Sequence, residues 1–301
     1  MHLKKHLLAI FSVLVVLGLF YFYVIADIFH PKQIATYENF TEIGEEYNAD
    51  QELQQAKEKY ANSMAQAQIL QARPQPGKKV IALTIDGMDS RGNMEAILRL
   101  LQKRGWHATF FVEGSNAARE STVIQKLAQD DQELGNYSFV GIDKAERLPA
   151  DRLLEQFVKT QKVLQVTSGK PATLFKLPDT RYLPDLLRAA KASGLEYAVQ
   201  GTVTLRPDQL QTADQLSAFV DQLQPGCIVS LRLDHPVPLV KKAKVQAATP
   251  AIDKGPTIQD AEAPGAIQPV SLVKTVEALC DALAARGYTV VSVTALQKLE
   301  Q

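Results

Sequence analysis

From Lys79 to the C-terminus, short runs of consecutive apolar residues alternate with stretches in which apolar positions recur every three to four residues. The short runs predict strands buried on both faces, and the longer periodic stretches predict amphipathic helices. Strands are predicted at Val80–Ile85, Ala108–Val112, Thr173–Lys176, Tyr197–Val199, Cys227–Leu233 and Thr289–Val293. Helices are predicted at Asn93–Lys103, Ser121–Gln129, Ala150–Val166, Pro184–Ser193, Asp214–Leu223 and Ser271–Arg286. Repeated strand–helix units imply an α/β domain with a largely parallel sheet. Their number over residues 79–301 suits a complete or distorted (β/α) barrel, with an open doubly wound sheet as the alternative topology. Residues 236–270 are rich in Pro, Ala and Gly and carry little periodicity, so they read as a loop inserted in the domain.

The first residues have a different pattern. Lys4 and Lys5 precede an uncharged run from Leu7 to Ala26, about the 20 residues that span a bilayer as a helix. Tyr21 and Tyr23 suit the interfacial belt, and the basic flank places Asp27 and the rest of the chain outside the cytoplasm. A signal peptide cleaved after Val24-Ile25-Ala26 is the competing reading. The run exceeds the ~7–15 apolar residues of a signal-peptide core, which favours a retained anchor in residues 1–29. Residues 30–78 then read as a stalk, with a helix over Asp50–Gln71, Asp50 as its N-cap, and Leu53, Ala56, Tyr60 and Met64 on one narrow stripe. Pro74-Gln75-Pro76-Gly77 ends it. The expected protein is therefore a single-pass cell-membrane protein with an extracytoplasmic domain.

Composition removes several classes. With 33 basic and 33 acidic residues there is no global field to favour nucleic acid. No Gly-rich loop of dinucleotide or P-loop spacing comes after a predicted strand. Cys227 and Cys280 are the two cysteines, so a cysteine zinc site is excluded. They could bridge outside the cytoplasm, but two separate buried thiols are the expectation.

Candidate chemistry begins at the tip of the first predicted strand, where Thr84-Ile85-Asp86-Gly87 places a carboxylate at the end that α/β folds use for chemistry. Ile81-Ala82-Leu83-Thr84 with Asp86 is succeeded in order by Ala108-Thr109-Phe110-Phe111-Val112, Glu133-Leu134-Gly135-Asn136 and Thr160-Gln161-Lys162-Val163-Leu164. Gly169-Lys170-Pro171, Phe175, Pro178 and Gly226-Cys227-Ile228-Val229 continue the set. This ordered set resembles the polysaccharide deacetylase family (the NodB homology domain, similar to carbohydrate esterase family 4). The resemblance implies a distorted (β/α) barrel of the glycoside hydrolase/deacetylase type. It also implies metal-assisted removal of acetyl groups from chitin-like or peptidoglycan sugars, in which a divalent ion polarises the carbonyl and activates a water.

Carried onto this chain, the resemblance assigns the general-base position to Asp86. The three metal-ligand positions, an Asp and two His in the family, fall on Gly87, Tyr137 and Gly141. The third motif appears as Lys176-Leu177-Pro178-Asp179-Thr180, whose Lys176 could steady Asp86, and the distal acid falls on Arg232. A site stripped of its ligands has no basis for holding zinc, since losing even outer hydrogen-bond partners costs about 10–100-fold. The reading is a pseudoenzyme that binds cell-wall glycan, with an envelope protein as a second class of partner and no cofactor. Asn136, Tyr137 and Asp179 are its expected glycan-contacting residues, with Tyr137 alternatively filling the volume of the lost histidines. The competing reading is a divergent deacetylase that rebuilds a metal site from Asp86, Asp89, Asp143 and His235. His107 reads as a packed or capping residue.

Overall fold

The computed structural model describes residues 44–206, 212–233 and 272–299. The apolar run at residues 7–26, the predicted loop at 236–270 and His235 lie outside them. Among the described residues no helix is long and apolar enough to cross a membrane.

In chain order the elements are helix α1 (Asp50–Asn62), strands β1 (Gln68–Leu70) and β2 (Val80–Asp86), α2 (Arg91–Gln102), β3 (Thr109–Val112), α3 (Gly114–Arg119), α4 (Ser121–Gln129) and β4 (Glu133–Asn136). They continue with α5 (Ala150–Ser168), β5 (Leu174–Phe175), α6 (Pro184–Ala192), β6 (Tyr197–Val199), β7 (Val203–Leu205), α7 (Ala213–Asp221), β8 (Ile228–Arg232), α8 (Leu272–Ala285), β9 (Thr289–Val291) and α9 (Val293–Lys298).

Among the described residues every strand pairing is parallel, in the spatial order β1-β6-β5-β4-β3-β2-β8-β7, and β9 joins the first half of β2. From β2 to β6 each strand is laid beside its predecessor, and β8 then returns to the other edge of β2. That order is cyclic, as in a barrel, and differs from a doubly wound sheet, where the chain restarts beside its first strand and works outward. Among the described residues no ladder joins β1 to β7, so the barrel is open at that seam. The distorted-barrel expectation holds and the open doubly wound alternative falls.

Strand β2 explains the centre of the fold. All seven residues of Val-Ile-Ala-Leu-Thr-Ile-Asp are buried, as expected for a parallel strand covered on both faces. Alternation puts Val80, Ala82, Thr84 and Asp86 on one face and Ile81, Leu83 and Ile85 on the other. The first face looks into the barrel. Val80 and Ala82 share a cluster there with Phe111, Tyr137, Leu174, Val199 and Ile228 from around the sheet, and Val293 and Leu296 from α9 join it. Opposite strands meeting in one cluster is the packing of a curved sheet. The second face is covered by helices. In α2 the Ser90 hydroxyl accepts from the Asn93 amide, and Met94, Ile97, Leu98 and Leu101 form its buried stripe.

The N-terminal segment departs from expectation. The predicted stalk helix ends at Asn62, and residues 68–70 are extended. Asp50 is the first helical residue and not the cap; its amide donates to Asn48 Oδ1 at 3.0 Å. Helix α1 packs on α5 and α6. Glu52 meets Lys162 at 2.7 Å, and the Arg188 guanidinium lies 3.8 Å from the Tyr60 ring centroid. Strand β1 joins β6, with Gln68 N donating to Glu196 O and Gln200 N donating to Leu70 O, both at 2.9 Å. The narrow stripe seats this helix on the domain, and the exposed edge of β6 draws residues 68–70 into the sheet. Residues 45–70 are thus part of the domain. Cys227 and Cys280 are both buried free thiols, as expected, and burial pushes each up to about 11.

Candidate functional site

The inner face of the barrel changes character toward the C-terminal strand ends. On β2 it runs Ala82, Thr84, Asp86, and on β8 Ile228, Ser230, Arg232; Thr84 is paired in register with Ser230 and Asp86 with Arg232. The same two-residue step carries β5 from Leu174 to Lys176. Apolar positions deep in the barrel therefore give way to hydroxyls and then to charges at its mouth.

Lys176 sits at the centre of these polar positions. Its Nζ lies 2.6 Å from Asp86 Oδ2, and the side chains of Lys176 and Asp86 are 11% and 3% exposed. The ammonium also donates to Thr84 Oγ1 at 3.2 Å and to Ser230 Oγ. Three acceptors match the three protons of an ammonium. Thr84 donates its hydroxyl to Asp86 Oδ1 at 2.7 Å, so both carboxylate oxygens of Asp86 are engaged. The Phe111 ring closes one side, 5.8 Å from Nζ. Tyr182 lies nearby, its hydroxyl donating to Val199 O at 3.1 Å and accepting from Leu177 N. Burial raises this phenol above its ordinary value, and the charge of Asp86 adds to the rise.

Arg232 forms a second ion pair. Its Nη1 is 2.8 Å from Asp179 Oδ2, the guanidinium side chain being 11% exposed and the aspartate 58%. Asp179 holds φ +44°, a left-handed backbone that few non-glycine residues adopt. The salt bridge of Asp86 is thus made with Lys176, and that of Arg232 with Asp179.

The ligand positions hold no donor set. Gly87 has φ +88° and Gly141 φ +66°. Tyr137 is 1% exposed and belongs to the barrel core. Asn136 is fully buried, its Nδ2 donating to Phe157 O at 3.0 Å and its Oδ1 accepting from Ser138 N at 2.9 Å. The expectation that Tyr137 and Asn136 face a glycan is corrected: the first fills the barrel interior and the second pins the turn after β4. Asp179 is the one expected glycan contact at the surface. Of the residues proposed for a rebuilt site, Asp89 accepts from Asn93 Nδ2 at 2.8 Å and Asp143 is exposed. Among the described residues no group of three or more His, Cys, Asp or Glu is placed to hold a metal ion. The residues at the family's ligand positions do not fit a divalent cation, and the carboxylate that remains is bound to an ammonium. His107 is exposed, so it is not a packed core residue.

Sequence reading missed Thr84 and Ser230, although the step of two from Ala82 and Ile228 carries both onto the inner face. It also missed Glu113, a buried carboxylate just beyond β3 that accepts from Met88 N at 2.9 Å.

Comparison with known proteins agrees with this barrel. The polysaccharide deacetylase family model matches residues 73–198. A peptidoglycan-N-acetylmuramic acid deacetylase of Bacillus subtilis, PdaC, is 34% identical over 103 residues, which are 34% of this chain and 22% of that protein. A peptidoglycan-N-acetylglucosamine deacetylase of Bacillus cereus is 25% identical over 59% of this chain and 62% of its own length. The chain thus spans between about a fifth and three fifths of these relatives. Among solved structures, a wild-type protein of Bacillus anthracis described as a CE4 family pseudoenzyme superposes with a TM-score of 0.55 at 20% identity, covering 78% of this chain and 69% of that one. Residues 73–198 thus match a polysaccharide deacetylase domain of the NodB homology type.

Proposed function

We propose that this protein is a membrane-anchored, extracytoplasmic module that binds cell-wall glycan through the mouth of a deacetylase-type barrel without performing deacetylation. The observation that carries the proposal is the Lys176 ammonium, which satisfies Asp86 with Thr84 and Ser230 while Gly87, Tyr137 and Gly141 offer no set of ligand atoms. A general base must take a proton from a water within hydrogen-bond reach. Both oxygens of Asp86 are instead turned to internal donors. Glycan as the partner is supported by the names of the relatives, two of which are peptidoglycan deacetylases. The anchor rests on the run from Leu7 to Ala26.

The test uses the full-length chain, purified from membranes in detergent. Elemental analysis, co-sedimentation with purified cell wall and acetate release are measured together. The expected result is retention on cell wall with no acetate released and zinc well below one ion per chain. Zinc at one per chain, with acetate release that Asp86→Ala abolishes, would establish the divergent deacetylase instead. Protease added to spheroplasts should digest the domain if it faces outward; full protection would refute the topology.

A further inference from the structure

We propose that Arg232 is a receptor for a carboxylate group on the bound glycan, and that Asp179 occupies it until that group arrives. This rests on the glycan-binding reading and narrows it to acidic glycans. Arg232 lies at the C-terminal end of β8, in register with Asp86, so it stands at the mouth that a glycan would cover. Its environment is asymmetric: the guanidinium side chain is 11% exposed, whereas its aspartate partner is 58% exposed. A largely buried cation needs an anion at hand, and Asp179, whose side chain is mostly in water, is the partner an incoming anion can displace.

Two further features favour exchange. Asp179 is held at φ +44°, and a left-handed backbone costs an L-residue strain that can relax when the side chain lets go. An incoming carboxylate would take over the charge-assisted hydrogen bond that Asp179 gives up, so the pairing of Arg232 is conserved before and after. A neutral sugar cannot make that exchange, because it would not replace the ion pair it displaced. Lys176 is not a competing receptor. Its three donors are already matched by Asp86, Thr84 and Ser230. In a cell-wall polymer the carboxylate has two sources, a substituent on the sugar ring and a peptide stem, and both present the same planar group to the guanidinium.

The experiment measures binding of the full-length protein in detergent by titration calorimetry. The probes are a disaccharide of N-acetylglucosamine and N-acetylmuramic acid, its methyl ester, the same disaccharide carrying a peptide stem, and neutral chito-oligosaccharide. The acid should bind about tenfold tighter than its ester, a difference of about 1.4 kcal/mol. D179N, a change at an exposed position, should tighten the acid several-fold relative to the chito-oligosaccharide. R232Q should erase the preference. If the stem-bearing probe alone shows the preference and the D179N gain, the stem is the source; if the plain disaccharide shows both, the ring substituent is. Equal affinity for acid, ester and stem-bearing forms, with D179N changing none selectively, overturns the carboxylate receptor while glycan binding stands. Failure of every probe to bind overturns both readings.

Discussion

Removing the Lys176 ammonium would strand the Asp86 charge where only 3% of its side chain meets water. Breaking a buried pair from one side costs about 3–5 kcal/mol, whereas replacing both partners with apolar groups is often neutral. Lys176→Met should therefore lower unfolding stability by that amount in urea titrations, and Lys176→Met with Asp86→Leu should recover most of it. If the single variant is as stable as the wild type, the pair is not the keystone of the barrel mouth. Part of this arrangement is legible in the chain. A carboxylate at a strand tip and a lysine at the third-motif position suggest the pair on their own. The hydroxyls that complete it are hidden, because Thr84 and Ser230 come together only through the register of β2 with β8. Arg232 is equally ambiguous, since its pairing with Asp179 depends on a loop conformation that no periodicity encodes.

At the scale of elements, apolar runs locate most of the central strands but miss β4, whose Glu-Leu-Gly-Asn has no such run, and the edge strands β1 and β7. β1 and β7 are three residues each and pair on one side, so few apolar positions are needed and little pattern results. α1 is legible as a helix, but its docking surface is not, because a narrow stripe fits a self-associating stalk as well as a groove between α5 and α6. Element geometry also governs the outcome of returning the family's ligands. Positions 87 and 141 lie in turns with φ +88° and +66°, and a Cβ at 141 would come within 3.2 Å of Glu113 Cγ. Gly87→Asp with Tyr137→His and Gly141→His should cost about 1–3 kcal/mol at each glycine, plus a cavity where the buried tyrosine ring had been. A depressed melting temperature with zinc still below one ion per chain is the expected outcome; stoichiometric zinc in a fully stable variant would contradict it.

For the whole molecule, the carboxylate ion pairs should make stability fall in acid. Hydrogen bonding to Lys162 holds Glu52 below its ordinary value of 4.5, and Lys126 does the same for Glu95. Hydrogen bonding to Arg286 likewise lowers Asp221 from 3.8. Burial pushes Glu155 upward, but Lys159 and Arg152 outweigh it and leave the group lowered. A carboxylate lowered by folding stabilises the native state at pH above its unfolded value, and that contribution fades as pH falls. Urea midpoints should hold steady from neutrality down to about pH 5 and decline below about 4.5 as these groups protonate. A midpoint that rises on acidification would show that the pairs contribute nothing.

The backbone at Gly87 and Gly141 also bears on the history of such a domain. Once a position has settled into a left-handed turn, the side chain that once stood there is no longer one substitution away. Each reversion is penalised until the surrounding loop has moved, and the loop has no reason to move until the side chain returns. The first loss of a ligand is a reversible accident. If the domain has lost catalysis, as proposed, left-handed turns at these two positions make that loss hard to reverse.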